Sequence, residues 1–162
     1  MFAKRRLDLP AIEAALREVQ GRFAELSMQF TEPRDPFTDE VLQNVLDGYA
    51  LIDDFVANDV DLFHLQNLNL MLEINATVLC GNDPARRVEF AQHLEATEAH
   101  FFNNVEGGIK DLFNWYCAYR SESVWKRAAG VYVRVLSKPQ LFIEGNHRSG
   151  SLLVSYLLMR AG

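Results

Sequence analysis

The chain has 162 residues, which is enough for one domain with a sizeable core. Hydrophobic residues make up 49% of the sequence, charged residues make up 23%, and the formal net charge is −6, a balance that argues against a broad nucleic-acid-binding face. The two cysteines, Cys80 and Cys117, have neither a metal-binding spacing nor the pattern of a disulfide framework. These features predict a soluble, cytoplasmic protein with reduced thiols.

No segment of the sequence has the pattern of a signal peptide or a membrane span. The basic cluster at residues 4–6 is short and has no apolar run after it, which a signal peptide would require. The apolar run at residues 152–159 is far too short to cross a bilayer. We therefore expect no membrane partner.

Helical spacing of apolar residues covers most of the chain. Capping residues, glycines and prolines divide this pattern into predicted helices at about 10–26, 38–55, 62–80, 86–104, 109–119 and 123–138. Asp8, Thr38 and Ser123 are the expected N-caps, and Gly81 and Pro139 the expected stops. No βαβ alternation is present, so we predict an all-α single domain over residues 1–162. The helix at 152–159 is apolar nearly all round, which predicts that it lies at the centre.

Residues 86–104 contain several histidines and glutamates. Phe90, Leu94 and Phe101 recur at helical spacing, so a helix is one interpretation. On such a helix His93 and His100 would share a face two turns apart, which is too far for one metal ion without further ligands. We therefore favour a solvated face or a flap over a metal site.

The stretch from residue 140 to residue 151 has the layout of an anion site. Gly145 allows a sharp turn, and the helix that follows directly adds free N–H donors and the positive end of its dipole. Arg148 can hold phosphate oxygens, and Glu144 is placed to hold Mg²⁺ beside a polyphosphate. The plainer alternative is a polar turn before a buried helix.

This stretch resembles the signature of the Fic family, His-Pro-Phe-x-(Asp/Glu)-Gly-Asn-Gly-Arg-x-x-Arg. The positions that match are Phe142, Glu144, Gly145, Asn146 and Arg148. Four positions depart from the signature. Gln140 stands where the family has its catalytic histidine, Leu141 replaces the proline, His147 replaces the second glycine and Ser151 replaces the second arginine. Related death-on-curing toxins carry lysine at the His147 position, so this position varies within the fold.

The resemblance implies a Fic-like helical core over residues 38–162, after an N-terminal helical extension at 1–37. It also implies that the signature loop joins two central helices and that a short β-hairpin flap falls within 86–106. Family members usually continue beyond this point, so the chain is expected to be a fragment or a minimal form.

The resemblance further implies transfer of AMP, or another phosphate-bearing group, from a nucleotide to a protein hydroxyl. ATP with Mg²⁺ is the expected donor, with Glu144 on the metal and Gly145, Asn146, His147 and Arg148 on the phosphates. Gln140 has no titratable nitrogen and cannot act as general base, which predicts altered chemistry. The alternative is a catalytically silent module that binds a ligand or a protein.

Two further expectations concern His147 and partner proteins. His147 is expected to contact phosphate or to serve as a helix-start residue, and a relocated base is the alternative role. The sequence contains no inhibitory Ser/Thr-x-x-x-Glu-Gly/Asn motif of the family, so any inhibition would require a partner protein. The protein target is not specified by the sequence.

Overall fold

The computed structural model describes residues 6–32, 34–103 and 105–162. Pro33, Asn104 and part of the basic cluster at 4–6 lie outside these residues. The described chain is all α, as predicted, and its helices are α1 (Leu9–Gly21), α2 (Phe23–Ser27), α3 (Asp39–Ala57), α4 (Leu70–Cys80), α5 (Pro84–Glu89), α6 (Ala91–Asn103), α7 (Ile109–Ala118), α8 (Val124–Leu136) and α9 (Asn146–Ala161). A 3₁₀ turn, Leu65–Asn67, precedes α4.

Side chains cap the N-termini of three helices where the sequence predicts an N-cap. Asp8 accepts a hydrogen bond from Ala11 N, Thr38 from Val41 N and Ser123 from Lys126 N, each satisfying an N–H group of a first turn. Gly81, with φ of 65°, ends α4. The predicted N-caps and this stop are confirmed.

The predicted β-hairpin flap is wrong for the described residues. Residues 84–89 and 91–103 form α5 and α6, and no strand occurs in the parts of the chain that the structure describes. Asp83 caps α5 by accepting from Ala85 N, and Pro84 stands at its first position, so local sequence favours a helix here. The helical interpretation of this segment is confirmed, with a break at Phe90.

Two predicted helix starts were also misplaced. The helix predicted from residue 62 begins at Leu70, because Asp61 holds the preceding turn by accepting from Phe63 N and from the Asn67 side chain. The last helix begins at Asn146 rather than Leu152, so the second half of the predicted anion loop is the first part of α9.

Helix α9 lies at the centre of the domain, as its apolar sequence predicts. It packs against α8, α3 and α4, and its buried apolar side chains are Leu152, Leu153, Tyr156 and Leu157. Gly48 on α3 permits the close approach of α9, since a Cβ at that position would collide with the Leu152 side chain. The Tyr156 hydroxyl anchors α9 by donating to Val60 O (2.7 Å) and accepting from Leu62 N (3.1 Å).

The N-terminal segment is attached to α3. Helix α1 packs on α3, and Asp53 accepts hydrogen bonds from Leu7 N (2.7 Å) and from the Arg6 side chain (2.6 Å). None of the helices in the described ranges is both long enough and apolar enough to cross a membrane.

Candidate functional site

The candidate site is the turn of residues 140–145 together with the first turn of α9. Gly145 occupies the N-cap position with φ of 74°, a left-handed conformation that favours glycine. A Cβ there would lie 3.1 Å from the Asn75 side-chain nitrogen and 3.2 Å from a Leu79 methyl. The turn therefore requires glycine for its conformation, and α4 presses closely against it.

Asn146 holds the turn in shape. Its side chain is buried, its Oδ1 accepts from Phe142 N (2.9 Å), and its Nδ2 donates to Phe142 O (2.8 Å) and to Gln140 Oε1 (3.2 Å). Both ends of the amide are thus committed to the loop. If Asn146 contacts a phosphate, as predicted, it would do so through its backbone N–H, because its side chain is used within the loop.

Asn75 on α4 is a site residue that the sequence reasoning missed. Its Nδ2 donates to Glu144 O (2.9 Å) and to the Ser149 hydroxyl (3.0 Å), so it connects α4 to both the turn and the start of α9. Asn75 is 1% exposed, and its Oδ1 has no hydrogen-bond partner among the described residues. An asparagine inside the otherwise apolar run 70–80 was the available signal, because a buried amide needs partners.

The first turn of α9 presents free backbone donors. Ser149 N makes the first intrahelical bond, to Gly145 O (2.9 Å), and no side chain caps the helix. The N–H groups of Asn146, His147 and Arg148 have no partner within the described ranges. Three such donors at the positive end of a 16-residue helix form a favourable environment for an anion.

Arg148 lies half-buried beside these donors. One of its terminal nitrogens donates to Val78 O (2.7 Å), in the last turn of α4, where a cation is favourable. Burial lowers the pKa of Arg148, while the negative charges of Glu144 and Asp35 act in the opposite direction. It makes no ion pair with a carboxylate in the described part of the chain, so this desolvated cation retains capacity for an anion.

Glu144 and His93 lie next to each other at the edge of the turn. Glu144 is exposed, and its Oε2 lies 3.9 Å from His93 Nε2, beyond hydrogen-bond distance. His93 Nε2 is itself buried without a hydrogen-bond partner in the described ranges. The Glu144 carboxylate therefore remains accessible to a cation from solvent.

Gln140 is held through its backbone as well as its side chain. His100 Nε2 lies 2.7 Å from Gln140 O, and because a carbonyl oxygen only accepts, this nitrogen carries the proton. The Gln140 Nε2 group has no partner among the described residues, so its two N–H donors are available. Gln140 can donate a hydrogen bond to a ligand, but it cannot take up a proton.

His147 lies on the α8 side of the site. Its Nδ1 is 3.2 Å from the Tyr132 hydroxyl, and its ring is exposed. The structure places it in the first turn of α9, which agrees with the helix-start role. Its expected contact with phosphate stays a prediction.

The two histidines of α6 have a role in the site that the sequence did not indicate. They lie on one face of a helix, as predicted, and this face is directed at the turn. His100 hydrogen-bonds to Gln140 O, and His93 lies near the Glu144 carboxylate. The described residues contain no group of three or more histidine, cysteine and acidic side chains that could hold a metal ion.

The arrangement combines three backbone donors, a half-buried arginine, an amide donor and an exposed carboxylate around one turn. Such a set can bind an anion and can place one carboxylate beside it.

Comparisons with protein-family models, with curated proteins and with solved structures find no match for this chain.

Proposed function

We propose that the turn 140–145 and the start of α9 bind the phosphate end of a nucleotide-type ligand. The observation that carries this proposal is the set of three unpartnered N–H groups at Asn146–Arg148, beside an arginine that has no ion pair in the described chain. The negative charge of a phosphate would compensate both the helix dipole and the desolvated guanidinium. The Fic-like signature supports the same ligand class.

Mg²⁺ is part of the proposed ligand. Magnesium in proteins usually takes one or two carboxylates and completes its coordination with phosphates and water. Glu144 fits this requirement, because it is itself part of the turn, directly before Gly145, and its carboxylate is exposed. The ion would neutralise phosphate charge, and the chain itself would supply this single carboxylate.

The proposed activity is Fic-like transfer of AMP, or of another phosphate-bearing group, to a protein hydroxyl, with altered chemistry. Gln140 would position a ligand or a hydroxyl through its free amide donors. Loss of a general base typically lowers a rate by about two to four orders of magnitude, so we expect slow transfer. The protein target, any inhibitory partner and a cytoplasmic location belong to the same proposal.

A catalytically silent binding module is the second candidate. The observation that favours it is the hydrogen bond from Asn146 to Gln140 Oε1, which incorporates the residue at the base position into the loop scaffold. A ligand would then bind without turnover.

Calorimetry tests the shared binding step. Wild type, Arg148→Ala and Glu144→Ala would be titrated with ATP, GTP and inorganic phosphate, with and without Mg²⁺. A charge-assisted contact contributes about 1.5–3 kcal/mol, so Arg148→Ala should weaken binding by roughly ten- to a hundredfold. Arg17→Ala is the matched control, because Arg17 is an exposed arginine on α1 paired with Glu13.

Glu144→Ala should weaken binding only when Mg²⁺ is present. If wild type binds no phosphate ligand at millimolar concentration, or if Arg148→Ala binds as well as wild type, the proposed site is wrong. If ligands bind, incubation with candidate donors and cell lysate, followed by mass spectrometry, separates the transferase from the silent module.

A further inference from the structure

The peptide unit between Glu144 and Gly145 is held by one hydrogen bond in the described chain. Asn75 Nδ2 donates to Glu144 O at 2.9 Å, and Gly145 N has no hydrogen-bond partner among the described residues. Because a carbonyl oxygen only accepts, the nitrogen of the Asn75 amide, and not its oxygen, must face Glu144 O. The orientation of this peptide unit therefore depends on a side chain of α4.

This contact also determines where the Gly145 N–H group points. The C=O and N–H bonds of a trans peptide lie in one plane and point in opposite directions, and Lys138–Pro139 is the only cis peptide bond in the described ranges. Since Glu144 O is directed at Asn75 on α4, the N–H group of Gly145 is directed away from α4.

Gly145 and Asn146 together have the conformation of an anion-binding nest. Gly145 is left-handed, with φ of 74° and ψ of 13°, and Asn146 begins the right-handed helix α9. Successive residues of opposite hand turn their N–H groups toward one point, which forms a concavity for an anion. Gly145 N–H thus adds a fourth backbone donor to the three at the start of α9.

We propose that Asn75 is a positioning residue for the phosphate site, which fixes the Glu144–Gly145 peptide so that Gly145 N–H faces the anion. This inference rests on the proposed phosphate-binding function of the turn. Glycine permits either orientation of this peptide, because it adopts positive and negative φ about equally readily. In the other orientation Glu144 O would face the anion and repel it, so phosphate binding requires that the peptide be fixed.

The unpaired oxygen of Asn75 supports this role. Asn75 is 1% exposed, and its Oδ1 is buried without a hydrogen-bond partner in the described part of the chain. Buried polar groups are nearly always paired, because an unpaired one is destabilising. An apolar side chain of similar size would avoid this cost in α4. The presence of an amide is therefore explained by what its nitrogen holds, which is Glu144 O and the Ser149 hydroxyl.

Two substitutions of Asn75 test the role by calorimetry with inorganic phosphate. Asn75→Leu keeps a side chain of similar size but donates no hydrogen bond, so binding should weaken by roughly ten- to a hundredfold, as for loss of one charge-assisted contact. Asn75→Asp should weaken binding at least as much, because its carboxylate repels Glu144 O and attracts Gly145 N–H. Ser149→Ala is the matched control, since it removes the other acceptor of Nδ2 and should bind like wild type.

The amide of Gly145 provides a readout that a purely structural role of Asn75 would not change. In proton–nitrogen correlation spectra of the full chain, the Gly145 amide proton should shift downfield as inorganic phosphate is added to wild type. The shift should be absent in Asn75→Leu. Circular dichroism would verify the fold of each variant, and the wild-type titration tests the role of Gly145 N–H even if both Asn75 variants unfold.

The outcomes separate this inference from the proposed function. Wild type that binds phosphate without a shift of the Gly145 amide would overturn the role of Asn75 and leave the phosphate site in place. A folded Asn75→Leu variant that binds as tightly as wild type would do the same. Absence of phosphate binding by wild type at millimolar concentration would overturn the proposed function, and the role of Asn75 with it.

Discussion

The substitution Asn146→Ala would remove the side chain that holds the turn before α9. In the native protein this side chain satisfies Phe142 N and Phe142 O, at 2.9 and 2.8 Å, and it contacts Gln140 Oε1 at 3.2 Å. Phe142 is 1% exposed, so its freed backbone groups could not bond to water without opening the turn. Asn146→Ala therefore tests whether the turn depends on this one side chain.

The expected loss of stability follows from these contacts. Leaving one buried donor or acceptor unpaired costs about 1–3 kcal/mol, so the two backbone groups of Phe142 imply a loss of about 2–6 kcal/mol. The contact with the half-exposed Gln140 adds little. Because a domain has about 5–15 kcal/mol of stability in total, this loss would be a large fraction of it.

Urea unfolding followed by circular dichroism would measure the free energy of unfolding of wild type and variants. Asn58→Ala is the matched control, because the exposed Asn58 side chain donates to Asp54 O at 2.8 Å at the end of α3. We expect this control to lose no more than about 1 kcal/mol, since its groups remain accessible to water. Equal losses for the two variants would refute the role assigned to Asn146.

Three further predictions concern single positions. Gly145→Ala should lower the free energy of unfolding by about 1–2 kcal/mol, because alanine is strained at a φ of 74°. The control Gly21→Ala should be neutral or stabilising, because a Cβ at position 21 has open space around it; equal effects in urea unfolding would contradict this. Tyr156→Phe should cost about 1–3 kcal/mol by leaving Leu62 N unpaired, and no thermal shift would exclude this role. Gln140→Ala should leave the labelling of lysate proteins from labelled ATP and Mg²⁺ weak or absent; strong labelling that persists in this variant would show that another residue is the base.

Local sequence was sufficient for much of the helical framework. Asp8, Thr38 and Ser123 cap helices with hydrogen bonds to residues three positions away, and Gly81 ends α4, so these boundaries depend on neighbours in the chain. The central position of α9 followed from its nearly continuous apolar surface. Where a local turn competed with helix periodicity, as at Asp61, the predicted boundary was wrong.

The candidate site was only half predictable. The residue types of 140–148 indicated an anion-binding turn, and the turn, its left-handed glycine and its N–H groups do lie together. The role of Asn146 as a structural brace was not visible, since asparagine in that pattern could equally contact a ligand. The structural role became clear only from the tertiary structure, in which the backbone of Phe142 lies within hydrogen-bond distance of the Asn146 side chain.

Tertiary structure alone decided which side chains surround the turn. Asn75 reaches Glu144 across 69 positions and Arg148 reaches Val78 across 70, while His100 contacts Gln140 across 40. None of these pairs leaves a periodic trace, because each depends on how α4, α6 and α9 pack rather than on the preference of any one segment. Local hydrogen bonding and apolar spacing thus determined where the helices form, whereas the packing of distant helices determined the environment of the site.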